Sequence, residues 1–217
     1  MKFNNEIAIS IASNSAKDYE SLLANNKFLL ICRNNKSNNV DCFEIHFPRY
    51  AYQHLTGLAI TENSNIKSAV VFYYACLNRK LPPEDIDLKK SHFAELKLTV
   101  LPQLINFIKY SKMSVVYNNG RPLLKCDKVV GTTNFSLALK KEQSFFIPVS
   151  CLNEDVRNFG DDIYQVLAVF CESLDVKVYK HIKSVAKGVN LKNVVIPEKY
   201  KEMIDLTEYR EPVKKTE

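Results

Sequence analysis

The sequence predicts an α+β fold in which N-terminal helices pack on one face of a mostly antiparallel β-meander. Apolar residues recur with a helical period mainly before residue 110. From 113 onward the texture changes to short extended runs broken by turn signals. No period of 20 to 50 residues repeats, so a solenoid or propeller is excluded.

Residues 15–26, SAKDYESLLANN, read as a short helix, and KFLLICR at 27–33 as a strand. NNKSNN at 34–39 is a loop rich in turn-forming side chains, and VDCFEIHF at 40–47 is a second strand, so the two strands make a hairpin. Pro48 ends that strand and opens about two helical turns, RYAYQHLT, which Gly57 closes as a left-handed cap. A longer helix spans 63–80, with Ile66, Ala69, Val70, Tyr73 and Leu77 as its inner stripe. Another spans 91–110, kinked or split at Pro102, with Phe93, Leu96, Val100 and Leu104 facing inward and Lys97 one step round. Asn119-Gly120 in MSVVYNNGRPLLKC signals a hairpin. TNFSLALKK at 133–141 alternates, with Ser136 and Lys140 outward, and SFFIPVS at 144–150 follows as a strand. Residues 162–173 lean to strand over helix, 176–188 read as a helix ending at Gly188, and the tail holds one helix around 197–206. The chain divides into 1–40, an N-terminal helix and strand leading into the core, a main domain at 41–188, and a helical tail at 189–217.

The net charge is +6, and residues 96–150 hold eight Lys or Arg against Asp127 and Glu142. A basic middle suits a polyanion such as nucleic acid, and it suits a solvated face equally. None of the six cysteines lies in a C-x-x-C pair, so reduced, buried thiols in the cytoplasm are expected. No apolar run reaches the roughly 18 residues of a membrane span, and none is read as a signal peptide.

No phosphate-cradling loop, dinucleotide fingerprint, nucleophile elbow or zinc-protease motif occurs. With no convergent carboxylates, neither a metal site nor a cofactor is expected. What remains is acid–base chemistry. His54 with Arg49 offers an acid or base plus a phosphate clamp, since histidine is the residue type suited to proton transfer and an arginine can grip two phosphate oxygens. RNA carries its own nucleophile, the 2′-OH, so a base, an acid and cationic donors suffice. A helical His and a surface Arg account for the same two residues without any chemistry. On an ideal helix Arg49 and His54 lie about 140° apart, and they converge only if Arg49 sits in the turn before it. Tyr50 and Tyr52 offer rings, Ser136 a hydroxyl and Lys140 charge to a nucleic acid. On the 176–188 helix Lys177, Lys180, Lys183 and Lys187 form one basic stripe that suits a phosphate backbone and a solvated face equally.

Phe47, Arg49, His54, Leu55, Thr56 and Gly57 form an F-x-R-x-x-x-x-H-L-T-G core, followed by ELKLTVLPQL and FFIPVSCLNEDVR. The chain resembles the phage branch, fourth subgroup, of the barnase–EndoU–colicin–RelE-like nucleases over roughly 41–185. The resemblance implies a metal-independent endoribonuclease of toxin or effector type. It implies Arg49, His54 and Thr56 as active-site residues, with Lys97 and Ser150 in support. RNA, tRNA included, and an inhibitor or immunity protein are the partners expected. The alternative is a non-catalytic module that binds nucleic acid or a host protein, and a phage assembly protein is a third reading.

Overall fold

The computed structural model describes residues 4–88, 93–106, 112–116, 120 and 124–210. Helix α1 (Asn5–Tyr19) starts ten residues before the expected position. Asn4 caps it by accepting a hydrogen bond from the Ile7 amide at 2.8 Å. Its inner row, Ala8, Ala12 and Ala16, is fully buried but too small to mark a strong stripe in sequence. A π-helical turn (Glu20–Ala24) carries the chain into β1 (Asn26–Asn34). β2 (Val40–His46) pairs antiparallel with β1 as expected. The Asn34 carboxamide turns the hairpin by accepting from the Lys36 and Ser37 amides.

A 3-10 turn (Arg49–Ala51) leads into α2 (Tyr52–Thr56), then β3 (Ala59–Ile60), α3 (Ala69–Leu77) and β4 (Ile86–Asp87), which pairs with β3. Nearly every position of α3 is apolar, so sequence period gives no phase: Phe72, Tyr73 and Cys76 are buried, while Val70 and Val71 are exposed. Helix α4 (Ala94–Val100) passes into a 3-10 segment (Leu101–Asn106) at Pro102, the expected break. Its inner face is Ala94, Leu98, Leu101 and Leu104, whereas Phe93 and Leu96 are exposed, against expectation.

The strands that follow are β5 (Met113–Val116), β6 (Lys128–Gly131), β7 (Ser136–Glu142), β8 (Phe145–Leu152), β9 (Ile163–Ser173) and β10 (Ile182–Val185). β5 pairs antiparallel with 128–131, and the Asn119-Gly120 turn expected between extended runs lies largely outside the described residues. The fold is α+β, but the sheet is no open meander. Its order, β1-β2-β8-β7-β6-β5-β9, returns to β1 and closes a seven-stranded barrel, with β10 beside β9. β1 and β9 pair over residues 26–34 and 164–173, and β2 meets β8 in parallel at Ile45 and Phe146. Closure therefore rests on partners more than 100 residues apart, which local periodicity cannot reveal. Register shifts at Ile31/Cys32 and at Ala138/Leu139 supply local bending.

The stretch expected as a helix at 176–188 is extended and holds β10. Its β-branched Val176, Val178, Ile182 and Val185 favour strand, and Tyr179 bridges to Ile204. Lys177, Lys180, Lys183 and Lys187 thus form no helical stripe.

One apolar cluster joins Phe28, Leu30, Phe43, Ile45, Leu137, Leu139 and Val169 of the sheet to the helices. A second lies on the opposite face of β1 and β9, where Leu29, Ile31, Leu167 and Phe170 meet Leu191, Tyr200, Met203, Ile204 and Tyr209 of the tail. β1 and β9 are near-continuous apolar runs because both of their faces are covered. The tail's helix is short (Glu198–Lys201), and 211–217 lie outside the described residues. All six cysteines are free thiols, five buried and Cys126 half-buried. Among the described residues no helix is long and apolar enough to cross a membrane.

Candidate active site

The 49–57 corner is built by backbone locks. Thr56 Oγ1 donates to the Gln53 carbonyl at 2.8 Å and accepts from the Leu58 amide at 3.1 Å. Gly57 adopts φ 69°, and its amide closes α2 on the Gln53 carbonyl. Lys97 Nζ donates to the His54 carbonyl at 2.7 Å, placing a cation at the negative end of the α2 dipole. Cys151 Sγ donates to the Leu55 carbonyl at 3.2 Å. Burial lowers the Lys97 pKa from its ordinary value, with the Cys151 thiol opposing. The His54 side chain stands exposed on this fixed turn.

Arg49 sits in the 3-10 turn before α2, the one position from which it could converge with His54. Its guanidinium turns instead to the π-helical turn: Nε and Nη2 reach the two Glu20 carboxylate oxygens at 3.1 and 2.6 Å, and Nη2 reaches Asn25 Oδ1 at 2.7 Å. Tyr73 donates to Glu20 at 2.5 Å. The Arg49 hydrogen bond holds the Glu20 carboxyl below its ordinary pKa against the opposing effect of burial. The same partner keeps Arg49 charged.

The other expected residues scatter. Tyr52 is fully buried, donating to the Ala12 carbonyl and packing edge-on against Tyr19 and Tyr73, so it has no face to offer a base. Tyr50 is exposed and donates to Glu142 at 2.9 Å; burial, then that carboxylate, push its pKa up to about 12. Ser136 is buried, not outward, because residues 156–159 cover that face of β7, and its hydroxyl donates to the Glu154 carbonyl at 2.7 Å. Ser150 pairs with Ala138 on that same face, whereas Cys151, next along β8, points towards α2. Ser150 therefore lies across the sheet from His54. Lys140 and Lys177 are exposed, Lys180 pairs with Asp205 at 3.4 Å, and Lys183 stands on β10.

Two arrangements carried no local signal. Lys128 pairs with Asp41 at 2.9 Å, beside the rings of Phe43, Phe146 and Tyr164. His181 Nδ1 lies 2.9 Å from the buried Glu172 carboxylate, nine residues away across the β9–β10 connection. Among the described residues no group of three or more His, Cys, Asp or Glu is placed to hold a metal ion.

A closed sheet covered by helices defines the class as an α+β protein built on a seven-stranded barrel. The family model described as phage-Barnase-EndoU-ColicinE5/D-RelE like nuclease4 matches residues 11–188, and the chain belongs to this nuclease family. No curated protein and no solved structure matches the chain.

Proposed function

We propose that the chain is a metal-independent endoribonuclease of toxin or effector type, with His54 as its proton-transfer residue. The observation that carries this is the contrast at the corner: four interactions fix backbone groups of Gln53, His54, Leu55 and Leu58, while the imidazole they present is exposed. A preorganised turn holding out one titratable ring is how a fold positions a catalytic group. His54 takes the proton from a ribose 2′-OH, and the oxygen attacks the adjacent phosphorus. The P–O5′ bond breaks as the His54 imidazolium returns that proton to the departing 5′-oxygen, giving a 2′,3′-cyclic phosphate and a 5′-OH end. Lys97 and Thr56 act as positioning residues. Arg49, through Glu20 and Asn25, fixes the turn that precedes α2. Tyr50 offers a ring for a base to stack on. An inhibitor or immunity protein is the partner such an activity requires in its own cell.

The test is incubation with total RNA and labelled tRNA in EDTA, beside His54→Ala. Cleavage by the wild type with cyclic-phosphate ends, lost in the variant, supports the reading; equal cleavage by both, or none, removes it. The second reading, an RNA-binding module without cleavage, is favoured by one observation: Arg49, Thr56 and Lys97 are all committed to protein partners. Salt-dependent RNA binding that persists in His54→Ala without cleavage would select it.

A further inference from the structure

A groove of about 560 Å³ lies between the π-helical turn, the 3-10 segment after α4, and the ends of β9 and β10. Ser21, Asn26, Asn106, Ser173, His181 and Lys183 supply its polar lining. That volume falls in the range of small-ligand sites, large enough for a nucleotide unit.

Its organising feature is Glu172. One carboxylate oxygen accepts from the Lys180 amide at 2.7 Å, the His181 amide at 2.8 Å and His181 Nδ1 at 2.9 Å. Burial opposes ionisation of Glu172, but these hydrogen bonds prevail and hold its carboxyl below the ordinary range. An ionised carboxylate only accepts, so Nδ1 carries the proton and Nε2 is left for a ligand. His181 immediately precedes β10 and Lys183 sits at the bulge between the residues paired with Phe170 and Val169, and both side chains line this groove. Ile182 between them points the other way, into the second apolar cluster. A carboxylate-held imidazole, a lysine, two carboxamides and two hydroxyls thus converge on one concavity. The sole carboxylate among these groups is spent on three N–H donors.

We propose that this groove binds the phosphodiester backbone of single-stranded RNA. His181 and Lys183 contact one phosphate, while Asn106 and the carboxamide oxygen of Asn26, whose amide donates to the Leu22 carbonyl, hydrogen-bond ribose and base edges. Ser21 and Ser173 are held by Asp18 and Asp175 and only line the wall. The assignment rests on the ribonuclease reading above for its choice of RNA. It places a substrate strand on the π-helical turn whose first residue, Glu20, holds Arg49.

The experiment separates binding from cleavage. A fluorescent 2′-O-methyl penta-uridylate, which lacks the nucleophile, is titrated by anisotropy in EDTA across a salt series. Wild type binds, and Lys183→Ala and His181→Ala each weaken binding about tenfold. Lys183→Ala also lowers the slope of log K against log salt by about 0.7, one single-strand phosphate contact. Lys36→Ala, an exposed lysine on the 34–39 loop, leaves affinity unchanged. His181 ring resonances shift as the pentamer is added. No binding to wild type, or binding indifferent to both groove substitutions, overturns the groove. Neither result touches the ribonuclease reading, which stands or falls on cleavage by wild type against His54→Ala.

Discussion

Gly57→Ala tests the physical account of the corner. At φ 69° an L residue enters the left-handed region, at a cost of about 1–2 kcal/mol. The added Cβ also meets Lys97 Cδ at 2.8 Å and the Ala94 Cα at 3.2 Å. The lysine stem must leave its rotamer, and the α4 backbone must give by a few tenths of an ångström, adding about 1 kcal/mol. The total is about 2–3 kcal/mol, which for a chain of this size lowers Tm by about 4–12 °C. Gly188→Ala is the matched control. Its φ is 79°, but nothing lies within 4 Å of its added Cβ, so only the conformational cost applies. Thermal melts followed by circular dichroism should place Gly57→Ala clearly below Gly188→Ala. In a Lys97→Ala background the gap should narrow, because the closest contact is gone. Equal melting shifts for the two glycine variants, or a gap unchanged by Lys97→Ala, would refute the claim that Lys97 is packed against this turn.

Glu20→Gln should cost about 1–2 kcal/mol in urea unfolding, since it unpairs Arg49 while both side chains remain about 30% exposed. The sign with pH follows from the lowered Glu20 pKa. Its stabilisation is complete above the ordinary glutamate range and disappears as pH falls through the folded-state pKa. Glu20→Gln should lose that acid-side slope, and parallel pH profiles for the two proteins would contradict the pairing. Removing residues after Gly188 should strip Leu191, Tyr200, Met203, Ile204 and Tyr209 from the outer face of β1 and β9. At about 1–2 kcal/mol for each apolar side chain, the loss is on the order of a domain's whole stability. The shortened chain should aggregate or bind ANS, and a melt within a few degrees of the full chain would show the tail to be dispensable.

The helix–strand order and the β1–β2 hairpin were legible because each rests on local periodicity. The left-handed cap at Gly57 and the break at Pro102 were legible for the same reason, through backbone chemistry of single residues. The barrel was not legible: the β1–β9 and β2–β8 pairings join segments with no local trace of each other. Runs such as FLLIC and VLAVFC did carry a further message, since a strand apolar on every residue needs cover on both sides. The tail is that cover. The 177–187 lysines misled because recurrence at three and four residues implies a helix only where the intervening residues favour one.

The corner shows why a motif can be visible while its division of labour is not. In H-L-T-G three of the four residues serve the fold: Leu55 is fully buried in the core, Thr56 closes the turn and Gly57 permits it. Lys97, which sequence offers as a cation for phosphate, spends its charge on the His54 carbonyl. Arg49 spends its own on Glu20. Sequence pattern reports which residues are needed together, and a fixed turn needs its locks as strictly as a reaction needs its acid and base. Only coordinates separate the two needs, by showing which polar groups are already partnered. On that criterion Arg49, Thr56 and Lys97 are spent within the fold, while His54 is exposed on its turn and His181 is held by Glu172 through Nδ1 alone among its ring nitrogens. The proposed ribonuclease reading is therefore tested at the His54 ring, and the proposed groove at His181 and Lys183, rather than at the arginine that first draws the eye.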